Sequence, residues 1–202
     1  METLKITKAD LNERNEYARS RDLEFEGHIE IEANLGQVVV LGFIRTAGYL
    51  GIAIRSGVEA GGSIEVGWSI EAGLNIKAGG GIKAGGSIAA RLSIEAGGGI
   101  DASWSIEAGL NIKAGGGIKA GGSIKAGGSI KAGGSIEAAW SIEAGFSVQC
   151  KLSISAKRRI FAGLCAWRLP EPEQQVIECA ELAQGTVCSG HLKLLPAKKE
   201  II

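Results

Sequence analysis

The chain has 202 residues, and its 22 Lys and Arg balance 22 Asp and Glu, so the formal net charge is zero. Its 32 glycines are about 16% of the residues, against a usual share of ~7%, but scarce proline and the lack of Gly at every third position exclude collagen. A hydrophobic share of 45% argues against disorder, no apolar run reaches the ~20 residues of a membrane span, and zero net charge argues against nucleic-acid binding. We therefore expect neither membrane nor nucleic acid as a partner.

Residues 1–51 follow no repeat. The first residues, Met1 to Lys5, lack the apolar stretch of a signal peptide, and the four cysteines show no paired C-x-x-C spacing, which together predict a cytoplasmic protein with reduced thiols. The alternation in residues 28–32, and less cleanly in 38–44, predicts strands. We interpret residues 1–51 as an N-terminal cap for the repeats that follow, because an uncapped stack of strands leaves a sheet edge unpaired.

From Ile52 to Ile160 every sixth residue is aliphatic, which gives 19 positions without insertion or deletion. The residue two places later is Ala from 72 to 144 without a break, with Ile54, Val66 and Cys150 as flanking exceptions. Six is not a helical period, whereas residues two apart in a strand point the same way and leave the charged residue between them outside. The unit Ser-Ile-(Glu/Lys)-Ala-Gly-x therefore predicts a short strand and a corner, where Gly is expected to supply a positive φ. Stacked units of this kind form a β-solenoid.

The outward charges predict how many hexads make one coil, because charges stacked on neighbouring parallel strands interact. With three hexads per coil the neighbouring charges are opposite nine times and alike once, at Lys113 over Lys131. With two hexads per coil the counts are seven and four, and with one hexad they are three and nine. Three hexads per coil predict a triangular prism, and 19 hexads predict about six coils.

The residue two places before each Ile separates the three corners. One corner holds only Gly in the regular repeat, a second alternates Trp with Gly, and the third is mostly Leu. We place these positions outside, since a coil with Gly at all three would leave a costly void if they faced the core. Exposed Trp and aliphatic residues mark interfaces, which predicts an interface of Trp68, Trp104, Trp140, Leu74, Leu92, Leu110 and Phe146. The alternation of Trp with Gly also suits inward rings with Gly stacked above them, so a core placement stays open.

Residues 164–202 end the chain. Pro170 and Pro172 mark a turn, and residues 174–180 and 186–195 predict two strands of a capping hairpin around Gln184-Gly185, with a short helix over 173–183 as the alternative. The predicted organisation is an N-terminal cap at 1–51, a hexad-repeat solenoid at 52–163 and a C-terminal capping or hairpin segment at 164–202.

No group of residues predicts chemistry. The two histidines, His28 and His191, lie outside the hexads, and Cys188 with His191 is a single C-x-x-H pair, which is too little for zinc. Asp101 is the only Asp after Asp22, so calcium-binding repeats are not predicted. We expect no catalytic, cofactor-binding or metal-binding residues.

Residues 52–163 resemble hexapeptide-repeat β-helices, which also place three hexads in a coil. The motif Ile-(Glu/Lys)-Ala-Gly-Gly-Ser of this chain is loosely similar to the repeats of bactofilins, a class of polymer-forming proteins. The near-identity of successive hexads is similar to that in uncharacterised repeat proteins of phages and prophages. The first resemblance implies an acyltransferase, but such enzymes use a His near a loop excluded from the coil, and this chain has no inserted loop among its hexads. The second implies a filament, and the third implies a host protein as partner, in a defence or DNA-processing complex that the chain would inhibit.

These observations predict an all-β, three-sided solenoid that is not an enzyme. We expect it to self-associate, as a dimer, and to bind a macromolecular protein partner through its corner-lined face without any cofactor. The alternative is a polymer-forming scaffold, and an acyltransferase-like enzyme would require a His-containing cleft between subunits.

Overall fold

The structure is a computed structural model that describes residues 1–166 and 168–196. These residues form a parallel β-solenoid, which confirms the predicted fold class. Within this part of the chain no helix is both long enough and apolar enough to cross a membrane.

The described strands are numbered in chain order. They are β1 (Thr3–Ile6), β2 (Leu23–Phe25), β3 (His28–Ile31), β4 (Gly36–Val40), β5 (Ile44–Thr46), β6 (Leu50–Ile52), β7 (Ser56–Ala60), β8 (Ile64–Val66), β9 (Ile70–Ala72), β10 (Ile76–Ala78), β11 (Ile82–Ala84), β12 (Ile88–Ala90), β13 (Ile94–Ala96), β14 (Ile100–Ala102), β15 (Ile106–Ala108), β16 (Ile112–Ala114), β17 (Ile118–Ala120), β18 (Ile124–Ala126), β19 (Ile130–Ala132), β20 (Ile136–Ala138), β21 (Ile142–Ala144), β22 (Val148–Cys150), β23 (Ser153–Phe161), β24 (Val176–Cys179), β25 (Glu181–Ser189) and β26 (His191–Leu194). Two single-turn 3₁₀ helices lie at Lys8–Asp10 and Pro172–Gln174.

The regular coils have the predicted length of three hexads. Lys77 lies opposite Glu59 on one neighbouring strand and opposite Glu95 on the other. The single like-charged contact of the repeat, Lys113 beside Lys131, also occurs as predicted. The charge pattern therefore identified the register, since parallel strands bring side chains of one column close together.

The core is a stack of Ile and Ala. Each hexad turns its Ile and the Ala two places later inward, as at Ile112 and Ala114, and leaves the Lys between them outside. Cys150 takes one of the inward Ala positions and is buried. Burial of these side chains is the main stabilising contribution, at about 25 cal/mol per Å² of apolar surface.

The glycines at the hexad corners are favoured by the close approach of neighbouring coils and not by φ, although Arg91, Ser103 and Ala139 take the same position in other coils. The described glycines with positive φ are Gly36, Gly163, Gly185 and Gly190, so the positive φ expected at the hexad corners occurs only after the last hexad, at Gly163, and is wrong for the others. Instead, a Cβ atom at Gly115 would lie only 2.0 Å from the carbonyl oxygen of Gly97 in the neighbouring coil. Gly thus permits the corner backbone of one coil to rest on the corner carbonyl of the next.

The Ser before each Ile also has a structural reason. Its hydroxyl accepts a hydrogen bond from the backbone N–H at the same position of the next coil, as Ser69 does from Ser87 at 3.1 Å. Asn111 takes the same place in another corner and accepts from Ser129 at 2.9 Å. These ladders satisfy backbone groups that the corners leave outside the strand pairing.

The coil count is about ten, which corrects the prediction of about six. Ten strands stack on one face of the prism, namely β1, β3, β6, β9, β12, β15, β18, β21, β23 and β25. The additional coils come from segments that break the hexad period but still coil. Leu4 pairs with Ile29, and Ile29 pairs with Leu50. Both of these coils are longer than a regular coil, because extra residues are accommodated at the corners.

The C-terminal hairpin does not form. Residues 181–189 are a single strand, β25, that runs through the expected turn at Gly185 and pairs in parallel with β23. Likewise β24 pairs in parallel with β22, and β26 with β24, so this segment continues the solenoid. The domain boundaries after residues 51 and 163 stay predictions, and the predicted segment 164–202 includes residue 167 and residues 197–202, which lie outside the described part.

Candidate binding surface

The three tryptophans of the repeat point outward. Their exposed fractions are 57% for Trp68, 70% for Trp104 and 58% for Trp140, so the core placement that the sequence left open is wrong. Their column is continuous, because the N–H of Trp104 donates to the carbonyl of Gly86, and the N–H of Gly122 donates to Trp104. We call this column the Trp corner, and it comprises Gly27, Gly48, Trp68, Gly86, Trp104, Gly122, Trp140 and Arg158.

A second apolar column, the Leu corner, comprises Leu74, Leu92, Leu110, Gly128 and Phe146, and Ile54 lies at its N-terminal end beside Gly73. Ile54 and Leu110 are exposed, and Leu74, Leu92 and Phe146 are half-buried. Ile54 looked like an inward residue in the sequence, as it follows Ile52 by two places. In the structure Leu50 pairs with Ile70 and Ile52 pairs with Ala72, so Ile52 fills the Ala column instead of the predicted Ile column, and Ile54 falls at the corner.

The Trp corner and the Leu corner border the same side of the prism, which we call the Trp–Leu face. Its strands are the ten that define the coil count, and its outward residues include Glu30, Gly51, Glu71, Ala89, Glu107, Lys125 and Glu143. The structure therefore brings all seven predicted interface residues to the two edges of one face. Whether this face is an interface stays a prediction.

The Trp corner ends in polar contacts that the sequence did not predict. At one end the His28 ring stacks on Tyr49, with 4.3 Å between centroids, and meets the edge of Trp68 at 5.5 Å. At the other end the Arg158 guanidinium lies 5.7 Å from the centre of the Trp140 ring. The longer N-terminal coils bring His28 and Tyr49 to this corner, so no hexad pattern could have located them.

The N-terminal part of the Trp–Leu face contains a shallow depression of about 520 Å³. Gly51 forms its floor, because it stands where the neighbouring strands carry Glu30 and Glu71. The Tyr49 hydroxyl hydrogen-bonds to the Glu30 carboxylate, and this bond raises the pKa of the tyrosine. Tyr49 also lies against Gly51, where a Cβ atom would be 3.1 Å from the ring.

The two histidines lie at opposite ends of the solenoid, and Cys150 and Cys179 are buried. His28 lies on β3 and accepts the N–H of Tyr49 at 3.1 Å, whereas His191 lies on β26 at the other end of the solenoid. Burial raises the pKa of the Cys150 thiol to about 11 and also raises that of Cys179, which disfavours a reactive thiolate at either position. Among residues 1–166 and 168–196, no three or more His, Cys, Asp or Glu side chains are grouped closely enough to hold a metal ion.

Comparisons with known proteins give no family for this chain. No protein-family model matches it, and no curated protein or solved structure matches it either.

Proposed function

We propose that the chain is a non-enzymatic, rigid scaffold that binds protein through the Trp–Leu face. The observation that carries this proposal is the outward placement of three tryptophans in one straight column. Large exposed aromatic side chains are costly to leave in water and are enriched at binding hot spots. A solenoid held by continuous strand pairing presents them without the conformational entropy cost of a flexible loop.

The chemistry of the face favours a protein partner. Its edges are apolar, and its centre carries mixed charges, with Lys125 between Glu107 and Glu143 and with Glu71 beside Ala89. Tryptophan is enriched at protein interfaces, and the charged residues between the two apolar edges can pair with charges of a protein partner. A nucleic acid would instead require a basic surface, and the formal net charge is zero.

The experiment is an affinity capture from bacterial lysate with a matched control. The immobilised wild type is compared with Trp68→Ala/Trp104→Ala/Trp140→Ala and with Lys77→Ala/Lys113→Ala/Lys131→Ala, whose lysines lie on a different face of the prism. We expect proteins that the wild type and the lysine variant retain and the tryptophan variant loses. Capture that is the same for all three chains, or no capture by the wild type, contradicts binding of a different protein through this face.

The sequence resemblances refine this function in different directions. A cytoplasmic partner in a host defence or DNA-processing complex follows from the resemblance to phage proteins, and mass spectrometry of the captured proteins tests it. Retention of ribosomal or other abundant proteins alone would contradict that refinement.

A polymer-forming scaffold is the second candidate, and one observation favours it. In the described residues the last strand, β26, pairs only with β24, and its Leu192 and Leu194 are exposed although they continue the inward columns of Ile177 and Cys179. A coil of another copy could cover them. Electron microscopy distinguishes the two candidates, since fibres support the scaffold and discrete particles support the binding module.

A further inference from the structure

The Trp–Leu face has a repeat of two coils in two separate columns. In the Trp corner, Trp68, Trp104 and Trp140 alternate with Gly86 and Gly122. In the middle of the face, Glu30, Glu71, Glu107 and Glu143 alternate with Gly51, Ala89 and Lys125. The two alternations are in phase, because each Trp lies in the same coil as an acidic residue, whereas Gly86 and Gly122 each lie in the same coil as a non-acidic one.

Such a face is complementary to itself when two copies meet antiparallel and the two-fold axis passes between two coils instead of through one. Each coil with a Trp then lies opposite a coil without one. We propose that the chain forms an antiparallel homodimer through the Trp–Leu face, in which each tryptophan lies over a glycine of the second copy. The inference rests on the proposed function, of which it names one partner: a second copy of this chain.

In the register that overlaps all ten coils, every large residue of the Trp corner lies opposite a glycine of the second copy. Across the two-fold axis this register places Trp68 opposite Gly122, Trp104 opposite Gly86, Trp140 opposite Gly48, and Arg158 opposite Gly27. Tryptophans two coils apart are separated by about 9.6 Å, so an indole inserted between them lies about 4.8 Å from each. That distance is within the ~4.5–7 Å over which aromatic rings pair favourably.

The same register forms one pair of opposite charges and brings no like charges together, with Glu30 opposite Phe161. Glu71 lies opposite Lys125 of the second copy, Glu107 opposite Ala89, and Glu143 opposite Gly51. A shift by one coil would place Trp104 against Trp104 and Glu107 against Glu107. A parallel two-fold dimer would place every residue at the height of its own copy, so Glu71 would face Glu71. Like charges in contact disfavour both of these arrangements.

The Leu corner and the size of the face agree with this register. Leu92 lies opposite Leu110, and Leu74 lies opposite Gly128, the one glycine among the regular Leu-corner positions. Ten strands at ~4.8 Å spacing and a side about 15 Å wide give a contact of about 650 Å² per copy. Stable interfaces bury roughly 800 Å² per partner, with a range that includes this value.

A charge reversal tests the dimer. We expect Lys125→Glu to weaken dimerisation about tenfold, because it replaces attraction to Glu71 of the second copy with repulsion at two symmetric places. Lys119→Glu is the matched control: Lys119 stacks between Asp101 and Glu137 within the chain, as Lys125 stacks between Glu107 and Glu143, but it lies on another face. Sedimentation equilibrium measures the dimer, and circular dichroism checks that each variant remains folded.

A second reversal tests the register. Glu71→Lys should restore dimerisation to Lys125→Glu, and it disturbs no charge pair within the chain because Glu71 lies between Gly51 and Ala89. Glu107→Lys should not restore it, although it restores the pair with residue 125 within one copy. A wild type that is monomeric at all concentrations, equal effects at Lys125 and Lys119, or rescue by Glu107→Lys alone would overturn the proposal.

The outcome separates this dimer from the proposed function. A monomeric wild type that still captures proteins through its three tryptophans would refute the dimer and leave the protein-binding function standing. A dimer with the expected charge dependence but without tryptophan-dependent capture would leave the dimer standing. It would refute only the binding of a different protein.

Discussion

Cys150 shows how a single residue adapts to the core of this solenoid. It takes the inward position that Ala132 occupies in the paired strand β19, and its thiol donates a weak hydrogen bond to the carbonyl of Ser153 at 3.4 Å. Burial raises its pKa to about 11. The thiol adds one sulfur atom to the alanine side chain, and in this environment it behaves as a small apolar group.

We therefore expect Cys150 to be unreactive in the folded protein. Three units below a pKa of about 11, only roughly 0.1% of the thiol is ionised, and the buried sulfur is also shielded from reagent. Pulse labelling with iodoacetamide at pH 8, followed by peptide mass spectrometry, should modify exposed Cys188 at least a hundredfold faster than Cys150.

The same chain supplies the controls for this labelling. Cys179 is buried and should follow Cys150, and all four cysteines should react at similar rates in urea. Labelling of Cys150 at the rate of Cys188 in the folded state would show that the last regular coils open frequently, and would contradict the buried placement.

At the scale of one coil, the corners and not the strands set the limit on sequence. The strands require only an Ile and an Ala, whereas the first corner position lies against a carbonyl of the neighbouring coil. At the corner that is bare Gly in the regular repeat, Gly79, Gly97, Gly115 and Gly133 repeat this contact coil after coil. The glycine excess of the composition is therefore a consequence of stacking.

Replacing one of these glycines should destabilise the solenoid. In Gly115→Val the new Cβ atom would begin 2.0 Å from the Gly97 oxygen, so the coils must separate locally, and overpacking of this kind costs about 1–3 kcal/mol. Urea unfolding followed by circular dichroism measures the change.

A substitution two residues away in the same corner is the control. Gly117→Ser introduces the residue found one coil further along at Ser135, and its Cβ atom would lie 3.2 Å from the nearest atom. It should change the free energy of unfolding by less than about 0.5 kcal/mol, as ordinary surface substitutions do. Equal destabilisation by both substitutions would contradict the close-approach explanation.

The regular coils were predictable from the sequence because each coil repeats its inward residues and its charges at a fixed spacing. The charges alone distinguished three hexads per coil from two or one, and the structure has that register. The flanking coils were not predictable, because extra corner residues lengthen the step from Leu4 to Ile29 and remove the period. The sequence did not decide whether Trp68 points outward. Trp alternates with Gly in successive coils, and this alternation would fit rings that face the core as well as rings that face solvent.

At the scale of the molecule, the two-coil period organises more than the Trp–Leu face. On the other two faces Lys77 alternates with Glu59 and Glu95, and Lys83 with Glu65 and Asp101. One coil is thus the unit of folding, since every coil stacks on the next through the same core contacts. Two coils are the unit of surface chemistry. A change in length tests the two units separately.

Deletion of one coil or of two coils should have different effects. Removing residues 69–104 deletes two coils and joins Trp68 to Ser105. Opposite charges then still meet at the junction, where Glu59 neighbours Lys113. The dimer with full overlap still places Trp68 opposite Gly122. Removing residues 69–86 joins Trp68 to Ser87, places Glu59 beside Glu95, and in the dimer places Trp104 opposite Trp104.

Solenoids tolerate loss of whole repeats because each repeat contacts only its neighbours. Both shortened chains should therefore show the strand spectrum by circular dichroism, but sedimentation should find the longer deletion dimeric and the shorter deletion weakened at least about tenfold. If the chain that lacks one coil dimerises as tightly as the wild type, or the chain that lacks two is folded but monomeric, the surface period does not direct assembly.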